Sequence, residues 1–387
     1  MTGSDLLLEN IGNVKFMQKL NRVKVLEHIR KNSPVSRYEL SNVSGLSLSS
    51  ITNIINYLID AGLVTEADRI KATGAGRKAV RLEFNTSAIQ VIAVNIEDDE
   101  ATVSVADIGG GIVESEKLPI SSEQTPDSVI AGTLEIVKNF ITRKKTIKAI
   151  GFTVSGHVSS SGFVSSSVLG WDNVEIKSKF EEETGLPVYI ANNTNTKALW
   201  TIRALNDEKH KNIVFLDMSA DGIGIANAYN GNLNEAVAGE LGHTVVAGLG
   251  NNTGYLEKVC SVKKITEGYF NLTGVKASFS EIREKAENGD ASAKEVIEEA
   301  CNYMSVAILN IIMMFEPDFI IVNASELFEV EEMYEKAVSE AVLNASRLAM
   351  KKPDFRRVNL APEQAIQGAA QFVADNILGI NGPDELL

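Results

Sequence analysis

Apolar positions in the first sixty residues recur at helical spacing and predict three helices. In "NRVKVLEHIRKN", Val23, Leu26 and Ile29 fall on one helical face. "SRYELSNVSGLS" predicts a short second helix that ends in a turn at Gly45. The apolar stripe of the third helix, in "SLSSITNIINYLIDAGLV", consists of Leu48, Ile51, Ile55 and Leu58. A helix, a short helix, a glycine turn and a further helix form the order of a helix-turn-helix.

A β-hairpin is predicted directly after these helices. "LVTEADRI" and "AVRLEF" predict its strands, and "KATGAGRK" between them predicts a long glycine-rich tip. Glycines allow the backbone of the tip to approach another surface closely. Arg77 and Lys78 place positive charge there, which suits contact with DNA phosphates or the minor groove. Residues 1–84 are therefore predicted to form a winged helix-turn-helix DNA-binding domain.

The start of the third helix carries short hydrogen-bonding side chains and no acid. Ser47 is expected to cap the helix, and the residues after it are expected to face the major groove. Such side chains contact base edges, while hydroxyls and cations hold the phosphates. The predicted DNA-contacting residues are Arg37, Ser47, Ser49, Ser50, Thr52, Asn53, Arg77 and Lys78. The alternative is a plain three-helix core with a solvated polar face.

Charge supports the first of these two interpretations. The 387-residue chain has a net charge of −14. Residues 1–90 hold 12 Lys and Arg against 8 Asp and Glu, a net of +4, which leaves −18 for the remaining 297 residues. A basic amino-terminal part on an acidic body indicates a nucleic-acid partner for the first part only.

Apolar runs and cysteines indicate a cytoplasmic protein without a membrane partner. The longest strongly apolar run, "VAILNIIMMF" at residues 306–315, is too short to cross a bilayer. The amino terminus has no basic segment followed by an apolar one, so it is not a signal peptide. Cys260 and Cys301 are too few for a metal cluster or a disulfide framework, and we expect both to be buried reduced thiols.

Beyond about residue 85 the pattern becomes strand-rich and then alternates between strands and helices. "QVIAVNIED", "EATVSVADI" and "GGIVESEKL" predict three successive strands, which helix, strand, helix and the strand "LPVYIANNT" follow. "KNIVFLDMSADGIGIANAYNGNL" begins a second group of the same kind. Duplicated lobes of this type enclose a cleft, a usual place for a small ligand.

Six short motifs carry a family resemblance through their order and spacing. They are "GAGRKAVRLEFN", "GFTVSGHV", "ANNTNTKALW", "ADGIGIA", "GELGHTVV" and "NNTGYLEKV". With them the chain resembles the ROK family (repressors, open reading frames and sugar kinases), and within it the winged-helix repressors that respond to sugars such as xylose. The resemblance implies an α/β body with a two-lobed actin-like, or ribonuclease H-like, fold. It assigns residues 85–195, completed by about 365–387, to the first lobe and 196–364 to a second lobe for ligand binding and dimerisation.

The same resemblance implies that catalysis and zinc binding are lost. Kinases of the family have an aspartate as general base where this chain has Asn193, and an amide cannot accept a proton near neutral pH. The phosphate loops are altered too, at "NIEDD" (residues 95–99), at Asp221 and at Asn323-Ala324. The zinc-ligand positions of the family hold Gly248, Gly250 and Tyr255 in this chain. From these three kinds of change together, we expect no catalytic residue, cofactor or metal.

Sugar-contacting positions of the family are retained. Glu240, His243 and Glu257 match the family residues that contact sugar hydroxyls, and Asn192, Asn193 and the backbone near Gly156 complete the predicted set. Carboxylates and amides suit the vicinal hydroxyls of a sugar. The resemblance thus predicts a repressor of double-stranded operator DNA that a sugar or sugar derivative relieves, as a homodimer or dimer of dimers. Two alternatives stay open: a sugar kinase with a DNA-binding head, and a DNA-binding regulator that binds no effector.

Overall fold

The computed structural model describes most of the chain. The described residues are 14–67, 80–97, 99–121, 123–207, 209–218, 222–234, 239–246, 254–324, 335–339, 352–384 and 386–387.

The amino-terminal unit is the predicted winged helix-turn-helix. Its elements are α1 (Val14–Asn32), β1 (Val35–Ser36), α2 (Arg37–Ser44), α3 (Leu48–Asp60), β2 (Val64–Ala67) and β3 (Arg81–Phe84). Gly45 ends α2 with φ of 70°, a backbone conformation that favours glycine, and the Ser47 hydroxyl accepts from the Ser50 N–H to cap α3. Strands β2 and β3 pair antiparallel, which confirms the hairpin. Its predicted tip, with Arg77 and Lys78, lies outside the described residues.

A first five-stranded sheet follows the winged helix. The elements of this first lobe are β4 (Gln90–Ile96), β5 (Glu100–Asp107), β6 (Ile112–Pro119), α4 (Pro126–Arg143), β7 (Ile147–Val154), β8 (His157–Val158), β9 (Phe163–Ser166), β10 (Trp171–Glu175), α5 (Lys177–Thr184) and β11 (Val188–Asn192). The sheet has the order β11-β7-β4-β5-β6. On one face its apolar side chains pack against Phe140 of α4 and Phe180 of α5.

A second five-stranded sheet lies in the second half of the chain. The further elements are α6 (Asn193–Leu205), β12 (Asn212–Met218), β13 (Ile223–Tyr229), β14 (Asn232–Leu233), α7 (Leu256–Cys260), α8 (Val262–Thr273), α9 (Phe279–Glu287), α10 (Ala291–Phe315), β15 (Phe319–Ala324), β16 (Asp354–Val358) and α11 (Pro362–Ile377). The sheet has the order β14-β13-β12-β15-β16. In both sheets three antiparallel strands come first and two parallel strands are added beside the first of them, so the two lobes repeat one topology.

Two helices, α6 and α11, pack closely against each other beside the first sheet. A methyl group at Gly368 of α11 would lie 2.0 Å from the Thr196 carbonyl oxygen of α6, so only glycine allows this approach. The other side of α11 packs on β4 and β7, where Val373 and Ala369 are buried. Helix α6 therefore connects the end of the first sheet to the start of the second, and the predicted lobe boundary at residue 195 falls inside its first turn.

Helix α10 is longer than its apolar run suggested. Strong hydrophobicity begins at residue 306, but the helix starts at Ala291 and buries Ala293, Val296 and Ala300 in its first turns. By length and composition it is the one helix of the described residues that could span a membrane. Its buried face packs in the core of the second lobe, with β12 and β15. This is the environment of a core helix in a globular domain.

Candidate functional site

Asn192 joins the two lobes at the predicted ligand cleft. It is the last residue of β11 and caps α6, because its Oδ1 accepts from the Thr194 N–H at 2.8 Å. Its amide donates to the Gly156 carbonyl oxygen at 2.8 Å and to Glu240 Oε1 at 2.9 Å. The side chain is 4% exposed. One buried amide thus holds the loop after β7 and the loop after β14 together.

Two glycines make this junction possible. Gly156 has φ of 116°, and a methyl group there would lie 2.4 Å from the Ser165 carbonyl oxygen. Gly239 has φ of 86°, and a methyl group there would lie 2.9 Å from Asn192 Cγ. Both positions combine a left-handed backbone with close contact, which only glycine permits without strain.

A histidine and a carboxylate lie beside the junction. His243 ends a short 3-10 turn, Leu241–His243, and its Nε2 lies 3.3 Å from Glu257 Oε1. The Leu256 N–H donates to the Thr244 carbonyl oxygen at 2.9 Å, which fixes the turn against the start of α7. About half of the His243 side chain is exposed, whereas the Glu257 side chain is only 22% exposed.

Burial sets the electrostatics of Glu240. Desolvation raises the pKa of its carboxyl group above the usual value, and the charge of Glu257 adds to the rise. His243, the hydrogen bond from Asn192 and His157 act in the opposite direction. A partly buried carboxylate with a raised pKa is typical of ligand sites. His157 was not among the predicted residues, although "GFTVSGHV" contains it.

The structure brings most of the predicted ligand residues together. Gly156, Asn192 and Glu240 are in direct contact, and His243 contacts Glu257. Asn193 follows as the first residue of α6, and its carbonyl oxygen accepts from Thr196 Oγ1. None of the hydrogen bonds among the described residues involves the Asn193 side chain. This arrangement offers carboxylate, amide and imidazole groups to a polyhydroxylated ligand.

At two strand ends where the family resemblance implies phosphate loops, polar side chains contact other residues of the chain. Asn95 Nδ2 donates to Glu97 Oε1 at 3.0 Å at the end of β4. At the end of β12, Lys197 Nζ lies 2.8 Å from Asp217 Oδ2, and Asn323 Nδ2 donates to Asp217 Oδ1 at 2.7 Å. Asp217 and Asn323 are buried. Residue 221, a further altered position, lies outside the described residues.

The structure describes part of the region where the family resemblance implies zinc-ligand positions. Tyr255 is half-buried, and its ring centroid lies 6.3 Å from that of His243. Gly248 and Gly250 lie outside the described residues. Among the residues that the structure describes, no group of three or more His, Cys, Asp or Glu side chains could hold a metal ion.

Comparison with known proteins identifies the family of this fold. The model of the ROK family matches residues 91–376. The chain belongs to the ROK family. Structures of sugar kinases match the ROK body at 19–21% identity with TM-scores of 0.54–0.60, which shows a shared fold.

Relatives named as a repressor or as transcriptional regulators match over more of the chain. The xylose repressor of Bacillus spizizenii is 27% identical over 329 residues, which cover 82% of this chain and 85% of the relative. The DNA-binding transcriptional dual regulator NagC of Escherichia coli is 26% identical over 368 residues, with 87% and 88% covered. The crystal structure of a ROK family transcriptional regulator, a homologue of the E. coli MLC protein, superposes with a TM-score of 0.73 at 25% identity. The match covers 94% of this chain and 98% of the regulator.

Residues predicted to contact DNA lie on the exposed side of the winged helix, as far as they are described. Thr52 and Asn53 are exposed on α3. Arg37 starts α2, and its guanidinium lies 2.8 Å from Glu66 of β2. At the start of α3, the Ser47 hydroxyl lies 2.8 Å from the Ser49 hydroxyl and 2.9 Å from the Ser50 hydroxyl.

A carboxylate that sequence reasoning missed connects the winged helix to the ROK body. Asp375 of α11 lies 3.0 Å from a guanidinium nitrogen of Arg30 in α1 and 2.5 Å from one of Arg203 in α6. Helix α6 begins at the cleft with Asn192 as its cap and reaches Arg203 in its last turn. The partners are 345 and 172 residues from Asp375 in sequence, so no local motif could have indicated them.

Segments after α11 also hold α1. Lys19 Nζ donates to the Gly382 carbonyl oxygen at 2.6 Å, and Arg22 donates to the Leu387 carbonyl oxygen at 2.8 Å. Leu387 is buried in the same apolar cluster as Leu26. The winged helix and the ROK body thus share one continuous core.

Proposed function

We propose that this ROK protein is a DNA-binding transcriptional repressor and that a sugar or sugar derivative in the cleft lowers its affinity for operator DNA. The observation that carries the proposal is the position of α6. Its first residue lies at the junction of Asn192 with Glu240, and its last turn contacts the carboxylate that also binds α1. Relatives that match 82–94% of the chain are named as a repressor or as transcriptional regulators, which supports the same function.

Sugar hydroxyls fit the chemistry of the cleft. Each hydroxyl that is buried without a hydrogen bond costs about 1–3 kcal/mol, so a sugar site needs many directed donors and acceptors. Glu240 and Glu257 supply hydrogen-bond acceptors, and the His243 ring can donate or accept. The hydrogen bond from the Asn192 amide holds the Glu240 side chain in place. The name of the Bacillus relative makes D-xylose the first sugar to test.

Effector control requires a difference in affinity between two states of the protein. A sugar that contacts both lobes binds the closed cleft better than an open one and shifts the population toward closure. Because α6 lies between the cleft and Asp375, closure would move the support of α1 and with it the recognition helix. In a homodimer, two such movements would change the spacing of the recognition helices on a palindromic operator.

We also propose that the chain does not transfer phosphate. The residue at the position of the kinase general base is Asn193, which cannot take a proton from a sugar hydroxyl. Purified protein with ATP, magnesium and a sugar panel should form no ADP above background. Asn193→Asp should stay inactive, because Asp217 is already paired with Lys197 where a phosphate loop would be needed. Sugar-dependent ADP formation by the unmodified chain would overturn this proposal.

Effector binding is tested by calorimetry with D-xylose, D-glucose, N-acetyl-D-glucosamine and their 6-phosphates. Glu257→Ala and His243→Ala should each weaken the binding of the active sugar by roughly one to two decades, at 1.4 kcal/mol per decade. Operator affinity without sugar should stay within about threefold of the unmodified chain. Lys138→Ala, on the outer face of the first lobe, is the control. Joint loss of operator and sugar binding would indicate a folding role for these residues instead.

A further inference from the structure

Hydroxyl groups at the start of the recognition helix are engaged with the helix itself. Ser47 Oγ accepts from the Ser50 N–H at 3.1 Å and lies 2.8 Å from Ser49 Oγ. Thr52 Oγ1 donates to the Leu48 carbonyl oxygen at 2.7 Å. These bonds leave the methyl group of Thr52 as the part of that side chain available to a partner.

Two amides on the same face are available. Asn53 and Asn56 are both exposed and three residues apart, so they are neighbours on the surface of α3. Neither side chain makes a hydrogen bond to a described residue. Leu48, 51% exposed, lies at the start of the same face. The surface that α3 offers therefore consists of two amides, two apolar groups and the Ser49 hydroxyl, which lies 2.8 Å from the Ser47 hydroxyl.

The composition of α3 before its last residue, Asp60, disfavours the usual contacts to guanine and cytosine. Residues 45–59 contain no Arg, Lys, His, Gln, Asp or Glu. Guanine is read mainly by Arg or Lys, and cytosine by Asp or Glu. The described cations beside α3 already have partners: Arg37 lies 2.8 Å from Glu66, and Arg81 lies 2.6 Å from Glu39. They would have to leave these carboxylates to reach a base.

We infer that α3 reads A·T pairs, with Asn53 and Asn56 each bonded to N6 and N7 of an adenine and with Leu48 and Thr52 against thymine methyl groups. Asparagine is the side chain that pairs with adenine in the major groove, and apolar groups contact the thymine methyl. This inference rests on the proposed DNA-binding function and specifies its partner: an operator whose half-sites have an A·T-rich centre.

The test is selection from random DNA duplexes with the full chain at fixed salt. We expect enriched half-sites with adjacent A·T pairs in the major-groove segment under α3. Asn53→Ala and Asn56→Ala should each lose preference at one position, by roughly 5- to 150-fold for a contact of 1–3 kcal/mol. Asn271→Ala, which removes an exposed helical amide in the second lobe, should keep the full preference.

The outcomes separate this inference from the function on which it rests. Enriched half-sites centred on G·C pairs, or unchanged preference in both asparagine variants, would overturn A·T recognition while DNA binding stands. Absence of any enriched duplex, with a folded chain, would overturn DNA binding itself. Thermal unfolding of each variant shows that it is folded, and exposed asparagines should have little effect on it.

Discussion

Glu240→Gln separates the stability of the empty cleft from its affinity for an effector. Glutamine keeps the shape of the side chain and an oxygen that accepts from Asn192, but it removes the charge. Burial raises the pKa of the Glu240 carboxyl group, so its ionised form disfavours the folded state despite that hydrogen bond. Relief of such a charge at a ligand site stabilises by about 1 kcal/mol, which corresponds to about 1–2 °C in melting temperature for a chain of 387 residues.

The pH dependence gives the sign of the effect. The pKa of Glu240 is higher in the folded state than in the unfolded state. The contribution of this carboxyl group to the free energy of unfolding is therefore complete below the unfolded pKa and is lost as pH rises through the folded pKa. The advantage of Glu240→Gln over the unmodified chain should therefore be largest at pH 8 and shrink as pH falls toward 4.5. Thermal unfolding without sugar measures both.

Effector affinity should change in the opposite direction. A hydrogen bond to a charged group contributes about 1.5–3 kcal/mol and one to a neutral group about 0.5–1.5, so each lost charge-assisted bond costs roughly tenfold in affinity. The control is Glu183→Gln, because the hydrogen bond from Lys138 lowers the pKa of the exposed Glu183 carboxyl group. Loss of the Glu183 charge should therefore not raise the melting temperature. A lower melting temperature for Glu240→Gln at pH 8, or a difference that grows as pH falls, would refute the reasoning.

Two further substitutions test the junction and the link to the winged helix. Gly239→Ala places a methyl group 2.9 Å from Asn192 Cγ on a left-handed backbone, so calorimetry should show at least about tenfold weaker sugar binding by a folded protein. Unchanged affinity would show that Asn192 need not stay in place. Asp375→Asn weakens the contacts with Arg30 and Arg203. The ratio of the operator dissociation constants with and without sugar should therefore fall by roughly fivefold or more. An unchanged ratio would show that other contacts couple sugar binding to operator binding.

Local sequence patterns were sufficient where one element determines its own structure. The apolar run in "LPVYIANNT" predicted a strand, and this strand is β11, whose last residue, Asn192, caps α6. The two amphipathic helices around Gly45 likewise predicted the helix-turn-helix. In each case the apolar spacing and the capping residue lie within a few positions of each other, so their effect can be read locally.

Contacts between distant segments could not be read in this way. The bond from Asn192 to Glu240 joins residues 48 apart, and the Asp375 contacts need the packing of α1, α6 and α11. The residues of α3 predicted to contact DNA end at Asn53, while helical periodicity also brings Asn56 to the face of position 53.

Short and small elements were the other source of error. Strands β8 to β10 have two to five residues each, too few for a clear alternation. The first turns of α10 are buried through alanines at 293 and 300, which contribute little to a hydrophobic pattern. The resulting 25-residue helix is packed by tertiary contacts that its apolar run at residues 306–315 did not indicate.

The most direct test of the proposed repressor is an operator-release measurement. A duplex selected by the full chain is labelled, bound at fixed salt and titrated with the sugar panel, while fluorescence anisotropy follows release. We predict that one sugar lowers operator affinity at least tenfold for the unmodified chain and has little effect on Glu257→Ala, which should still bind the duplex as tightly. Equal release from both proteins, or no release by any sugar of the panel, would contradict control through the cleft.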